Sequence, residues 1–390
     1  MKYLFILALF SLVACSKTID KPAEPATVAN HPTEFETCNF GLTQFNMVKR
    51  PAVINEEAAK GKPVRFTSGG TSNNGGSAVI LLDFDGHTVS GTSWNWNGDI
   101  IAAPANLTAA QIEEIFKRVS NDYSPFNITV TTDEAVYTAA NVSKRMRVIL
   151  TETWEWFGQS GGVAYINSFT WGNNTPCFVF TSLLNYGTKY IAEAASHEAG
   201  HTIGLYHQSL YDATGIKISE YNKGQGSGEI GWAPIMGVGY YQNVTLWHNG
   251  PNSNGATSYQ DDVAIIKNVV SVKTDDYTNS TSGAATLSSS LEGVINNNTD
   301  VDFFSVDISS SKTISAAPFN TGANNSGANL DIVLKIYNSQ GDLISTVDNA
   351  SVLSESTILN AGKYYISVNT TANQNTGKYG MIGRYNISLL

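Results

Sequence analysis

Apolar and polar positions along the 390-residue chain fall into two regimes. Up to about residue 275, long apolar runs alternate with helical periods. Residues 77–85 (SAVILLDFD) are almost continuously apolar, which predicts a strand covered on both faces. Residues 108–121 place Ile112, Ile115, Phe116 and Val119 on one helical face, with Thr108 as N-cap. Residues 127–132, 146–151, 162–169 and 177–182 read as further strands through their β-branched and aromatic content. Residues 190–205, rich in Ala and Glu, read as a helix, and another begins at Tyr259, where Asp261 and Asp262 suit a positively polarised N-terminus. After the polar, turn-rich stretch 274–283 the pattern shortens to alternation. Residues 302–308, 331–337, 363–369 and 385–390 predict strands, and 338–342 (NSQGD) a turn. The expected fold class is α+β over 76–275, followed by an all-β sandwich or jelly roll over 283–390.

One stretch carries chemistry. Residues 197–207 read H-E-x-x-H-x-x-G-x-x-H. On a helix, residues four apart lie about 40° apart around the axis, so His197 and His201 point the same way. Gly204 permits a backbone conformation costly for other residues, and the turn returns His207 to the same place. Three histidines suit one zinc ion and leave a fourth position for water, the mark of a catalytic rather than a closed site. Glu198 is turned away from the ligands by one residue and is the candidate general base. The chain has only 6 His. Chance occurrence of the full pattern is on the order of one in 10^5.

The motif resembles that of the metzincin zinc endopeptidases, nearest the bacterial secreted forms. That resemblance implies a Met-containing turn beneath the histidines, and Ala233-Pro234-Ile235-Met236-Gly237 offers Met236. It implies a mixed sheet, and an edge strand before the zinc helix to which an extended protein or peptide substrate adds by backbone pairing. Residues 177–182 are assigned that role. Some members carry a Tyr two residues after the Met. Here Val238 stands there, so Tyr240 is the candidate oxyanion donor or fifth ligand. The histidines His87 and His248 lie outside the motif.

The N-terminus reads as a targeting signal. Lys2 precedes an apolar stretch, residues 3–13, too short for a membrane span. It ends in Leu12-Val13-Ala14-Cys15, which resembles a bacterial lipoprotein box and implies lipidation of Cys15 and an extracytoplasmic, membrane-anchored protein. A conventional secretory cleavage is the alternative. Residues 16–75 read as a linker or pro-region, ending in a Gly/Ser/Asn run. Net charge is −10 and 14% of residues are charged, with no basic stripe, which argues against nucleic-acid binding. Nothing calls for more than a monomer. Cys38 and Cys177 leave three readings: one disulfide, a latency thiolate from Cys38 on the zinc as in matrix metalloproteases, or two free thiols.

Residues 283–390, through Asp300-Val301-Asp302-Phe303-Phe304 and LDIVLKIYNSQGDLI, resemble the bacterial pre-peptidase C-terminal domain. That implies an accessory module. Asp300, Asp302 and Asp331 are candidate Ca2+ ligands, although such residues more often cap backbone groups. Trp94, Trp96, Trp154, Trp156 and Trp171 suit core packing better than a carbohydrate platform. The expected function is a lipid-anchored zinc endopeptidase. The alternative is a surface-binding lipoprotein, adhering to host protein or glycan, that keeps such a fold without the activity.

Overall fold

The computed structural model describes residues 34–38, 75–319 and 327–390. Cys15 and the lipid-anchor expectation lie outside the described residues, as does most of 16–75.

The chain is mixed α+β, with many strands and few helices. Ala78–Asp83 is buried along its whole length inside a six-stranded sheet, as its unbroken apolar run requires. Across the sheet the order is Phe35–Thr37, Gly162–Tyr165, Cys177–Phe180, Arg145–Thr151, Ala78–Asp83, Ile128–Thr131. The last four are mutually parallel. Gly162–Tyr165 runs antiparallel to Cys177–Phe180, and Phe35–Thr37 antiparallel to Gly162–Tyr165. Side chains alternate between the faces with the period of two that a pleated strand imposes. One face carries Ile80, Leu82, Val130, Val148, Leu150 and Val179 into the core shared with the helices Ala109–Asp122 and Thr188–Ile203. The other carries Ile149, Val163, Tyr165, Phe178 and Phe180 against Val89 and Trp94, with Trp154, Trp156, Phe157 and Trp171 partly buried around them. The tryptophans therefore pack mainly as core, and only Trp96 is largely open, at 46%.

The first helix starts as its sequence predicts. Thr108 Oγ1 accepts from the Gln111 amide, and the Gln111 side chain reaches back to the Thr108 amide, a reciprocal capping box. Three elements depart from expectation. Residues 177–182 do not form the sheet edge: Cys177–Phe180 lies inside the sheet, and Gly162–Tyr165 stands between it and the outermost strand Phe35–Thr37. That strand stops at Tyr165, because Asn167 takes a left-handed backbone (φ 63°) and a short 3-10 turn follows. Tyr259 does not begin a helix. Tyr259–Asp261 pairs with Asn249–Pro251, and the helix is Asp262–Val270, capped by Asp261 on the Ala264 amide.

Residues beyond 283 form two packed sheets. A five-stranded sheet runs in the order Ala285–Thr286, Asp302–Ile308, Gly362–Thr370, Ile332–Tyr337, Leu343–Val347. A four-stranded sheet runs Ser290–Ile295, Gly383–Leu389, Lys312–Pro318, Glu355–Leu359. Between them lie Phe304, Val306, Ile332, Leu334, Ile366 and Val368 with Ile295, Ile314, Tyr385 and Ile387, a sandwich-like core.

The sandwich meets the first helix through buried polar groups. Asp122 accepts from Ser196 Oγ (2.5 Å) and from Asn329 Nδ2 (3.0 Å), while Asn329 also donates to the Thr245 carbonyl (2.6 Å) and bonds to Asn121. The Arg384 amide donates to Asn121 Oδ1 (3.2 Å). Removing a member of such a network leaves buried partners unsatisfied. Asn329→Ala is expected to destabilise the protein by about 1–3 kcal/mol. A denaturant titration of the full chain checks this, and an unmoved midpoint refutes it.

Candidate metal centre

The helix Thr188–Ile203 places His197 and His201 one turn apart, both almost fully buried. Gly204 ends it at φ 120°, its amide returning to the Gly200 and His201 carbonyls. A Cβ at Gly204 would also lie 2.4 Å from Asn167 Oδ1, so this position excludes other residues both by conformation and by space. The chain then turns and brings in His207, 2% exposed. The three ring centroids lie 4.6, 4.9 and 5.2 Å apart, and one nitrogen from each ring falls within 4.8 Å of the others.

Each Nδ1 is engaged by an oxygen. His197 donates to the Ile235 carbonyl (2.8 Å), His201 to the Leu205 carbonyl (2.6 Å) and His207 to Glu220 Oε1 (2.9 Å). Because all three partners accept, the proton sits on Nδ1 and the Nε2 lone pair is free. All three Nε2 atoms are buried without a hydrogen-bond partner. Burial pulls the His197 imidazolium pKa down to about 3, helped by His207, and pulls His201 well below its ordinary value. Three imidazoles whose Nε2 atoms are buried without a partner suit Zn2+, because zinc would satisfy them together.

Met236 lies in the turn that follows the strand Trp232–Pro234. It is fully buried, and a Cβ on Gly200 would lie 2.7 Å from its sulfur, so the turn presses on the helix between His197 and His201. The preceding residue supplies the carbonyl that orients His197. Glu198 is fully buried, with neither carboxylate oxygen hydrogen-bonded. A Cβ on Gly162 would approach Glu198 Oε1 to 2.6 Å, so the sheet strand abuts the carboxylate directly. Burial, then the charge of Glu36, raises the Glu198 pKa well above its ordinary value.

Other residues entered the site without a sequence signal. Burial pushes the Glu220 carboxyl up, but its bonds to His207 and Lys217 outweigh this and hold it at about 2, an anion fixed behind the third histidine. Glu36 Oε2 lies 3.4 Å from His207 Nδ1. The Tyr221 ring lies 4.5 Å from the His207 ring, and its hydroxyl donates to the Thr37 carbonyl (2.5 Å). None of the three belongs to a motif. Their only signal is proximity in the chain to His207 or Cys38.

Of the three cysteine readings, the disulfide is corrected, and two thiols not joined to each other are what the structure has. Both side chains are buried. The Cys38 amide bonds to Gly162, and Cys177 lies on the strand beyond, which puts the two about two strand spacings apart and outside disulfide reach. Nor does the Cys38 sulfur join the histidine nitrogens. It lies 3.2 Å from the Tyr240 hydroxyl, so Tyr240 meets a thiol. His87 lies 3.7 Å from Asp83, and His248 packs on Trp232, so neither reaches the motif histidines. In the sandwich, Asp300 and Asp302 come together with Asp275, not with Asp331. Asp300 Oδ1 and Asp302 Oδ1 are buried without a hydrogen-bond partner, a set of oxygens of the kind Ca2+ takes.

No protein-family model matches the chain, and neither does any curated protein. Among solved structures the chain is similar to the pre-peptidase C-terminal domain of collagenase from Bacillus anthracis at 13% identity and TM-score 0.20, over 30% of this chain and 98% of that one. It is also similar to PliG of Aeromonas hydrophila, a periplasmic inhibitor of g-type lysozyme, at 14% identity and TM-score 0.19, over 27% of this chain and 97% of that one.

Glu220 orients the His207 ring, so with the three imidazoles as zinc ligands its loss is expected to weaken zinc binding by roughly 10–100-fold. Competition of Glu220→Ala against a chromogenic chelator measures this. Wild-type affinity in the variant would show that His207 needs no such support.

Proposed function

We propose that this chain is a zinc-dependent endopeptidase of metzincin type, acting on extended polypeptide outside the cytoplasm and tethered there through Cys15. The observation that supports it best is a cluster of three buried, unpartnered imidazole nitrogens supplied in part by the helix that also carries the buried, unpartnered Glu198, which abuts the strand Gly162–Tyr165. His197, His201 and His207 would hold the metal through Nε2. When bound, zinc polarises a water and the scissile carbonyl and offsets the negative charge that develops on the carbonyl oxygen.

The remaining steps belong to the protein. The strand Gly162–Tyr165 would offer its outer backbone amides and carbonyls to align an extended chain once Phe35–Thr37, which pairs with it in this structure, is displaced. Glu198 takes a proton from the attacking water as its oxygen bonds to the carbonyl carbon. It then delivers that proton to the amide nitrogen as the C–N bond breaks, leaving a carboxylic acid and an amine. Its burial serves this role. A carboxylate without hydrogen bonds in a dry site is a stronger base than one in water. Ile235 and Glu220 keep two of the rings fixed in the tautomer that ligation needs.

Glu198→Ala is expected to retain one zinc per chain while hydrolysis of an unfolded protein falls roughly 10²–10⁴-fold. Metal analysis and an electrophoretic digestion assay, run with and without chelator, test both halves. Turnover near the wild-type rate would remove Glu198 from the mechanism. Hydrolysis indifferent to chelator would remove the metal.

A further inference from the structure

The strand Gly162–Tyr165 would be the edge of the sheet if residues 34–38 did not pair with it. Phe35 faces Tyr165, Glu36 faces Ala164 and Thr37 faces Val163. The pairing continues at both ends. Ile166 donates to the Glu34 carbonyl (3.0 Å), Cys38 donates to the Gly162 carbonyl (3.2 Å) and Gly161 donates to the Cys38 carbonyl (2.6 Å). These five residues fill the backbone sites that an added extended peptide would use.

Their side chains alternate as in any strand. On one side are Glu34, whose carboxylate accepts from the Tyr206 hydroxyl (3.1 Å), Glu36, 3.4 Å from His207, and Cys38, against Tyr240. On the other, Phe35 stands edge-on in an aromatic nook, with ring centroids 6.0 Å from Trp94, 5.8 Å from Phe157 and 5.9 Å from Tyr165. Phe35 remains partly exposed, whereas Trp94 and Tyr165 are almost fully buried. The nook is thus built from the body of the fold, and Phe35 is its guest.

We infer that residues 34–38 occupy the track of an extended peptide substrate, and that the Trp94–Phe157–Tyr165 nook is a subsite for an aromatic side chain of that substrate. The inference rests on the peptidase reading and adds its specificity. The partner is a polypeptide in extended form, with an aromatic residue placed to enter the nook while its neighbours face the histidine side. Residues 34–38 then hold back hydrolysis until displaced.

The full chain tests this directly. Phe35→Ala is expected to raise the initial rate on an unfolded protein about tenfold, through loss of the edge-to-face contacts and burial that seat the strand. It should also speed amide exchange at Gly161 and Ile166, which donate to the strand. Cys38→Pro removes the amide bonded to Gly162 and leaves the nook intact, so it should act in the same direction if the first variant fails to fold. A synthetic peptide of sequence TEFETSN, added to the Cys38→Pro protein, should inhibit competitively, and TEAETSN at least about tenfold less. New termini in the digest should carry aromatic residues at one fixed position. Unchanged rate and exchange in both variants, or equal inhibition by the two peptides, would overturn the inference while leaving the peptidase reading intact. Slower hydrolysis in both variants would also overturn it, since the strand would then be part of the working fold. If no protein hydrolyses anything, the peptidase reading falls. Fluorescence-polarisation binding of the two labelled peptides to Glu198→Ala/Cys38→Pro protein would still decide whether the edge selects an aromatic-bearing strand.

Discussion

Three nitrogen lone pairs buried within 4.8 Å of one another, with no donor to meet them, are the constraint on which the site depends. Left alone, each costs about 1–3 kcal/mol as an unsatisfied buried acceptor. The fold does not relieve this by rotating the rings, because every Nδ1 is held by an oxygen from a different segment: Ile235, Leu205 and Glu220. One helix supplies two rings, a glycine turn supplies the third, and the Met236 turn closes the space beneath. This arrangement is intelligible as preparation for a cation that all three nitrogens share.

The same economy governs the edge of the sheet. The Glu198 carboxylate occupies the space that a side chain at Gly162 would need, so the proposed base and the strand proposed to align a peptide are in direct contact. A substrate aligned by strand pairing would be aligned on the base and the metal at once. The aromatic layer on the opposite face makes one side of that edge apolar, while His207, Glu36 and Tyr206 make the other polar. An extended peptide would therefore be read by two unlike surfaces at alternate residues.

What was legible in the sequence was local. The three histidines, Glu198 and Gly204 sit within eleven residues, and helical spacing alone predicts their convergence. Thr108 and the face Ile112, Ile115, Phe116 and Val119 were legible for the same reason. Sheet order was not. Residues 162–165 and 177–180 are equally buried and equally strand-like, and only pairing distinguishes inner from outer. Cys38 looked like a disulfide partner because a sequence does not show the strand that separates it from Cys177. Glu220 lies in an unremarkable polar segment, and its role exists only once His207 turns toward it. In the sandwich, Leu343–Val347 was missed because it is an edge strand with little burial, so its residues carry no apolar alternation.

The sandwich also bears on the metal centre, which its sequence did not suggest. Asp122 is a fully buried carboxylate at the end of the first helix, and burial raises its pKa to about 7 despite two hydrogen bonds. One oxygen fixes Ser196, the residue before His197, and the other is met by Asn329 from beyond residue 283. Tyr123 adds a bond to the Ser196 carbonyl, and Trp247 one to the Asp122 carbonyl. The helix that carries two histidines is thereby anchored, one residue short of the first, to a network that ends in the sandwich. An accessory module joined only by a linker would have no need of such a buried carboxylate. Its presence argues that the two parts fold against each other, and that the position of His197 depends on both.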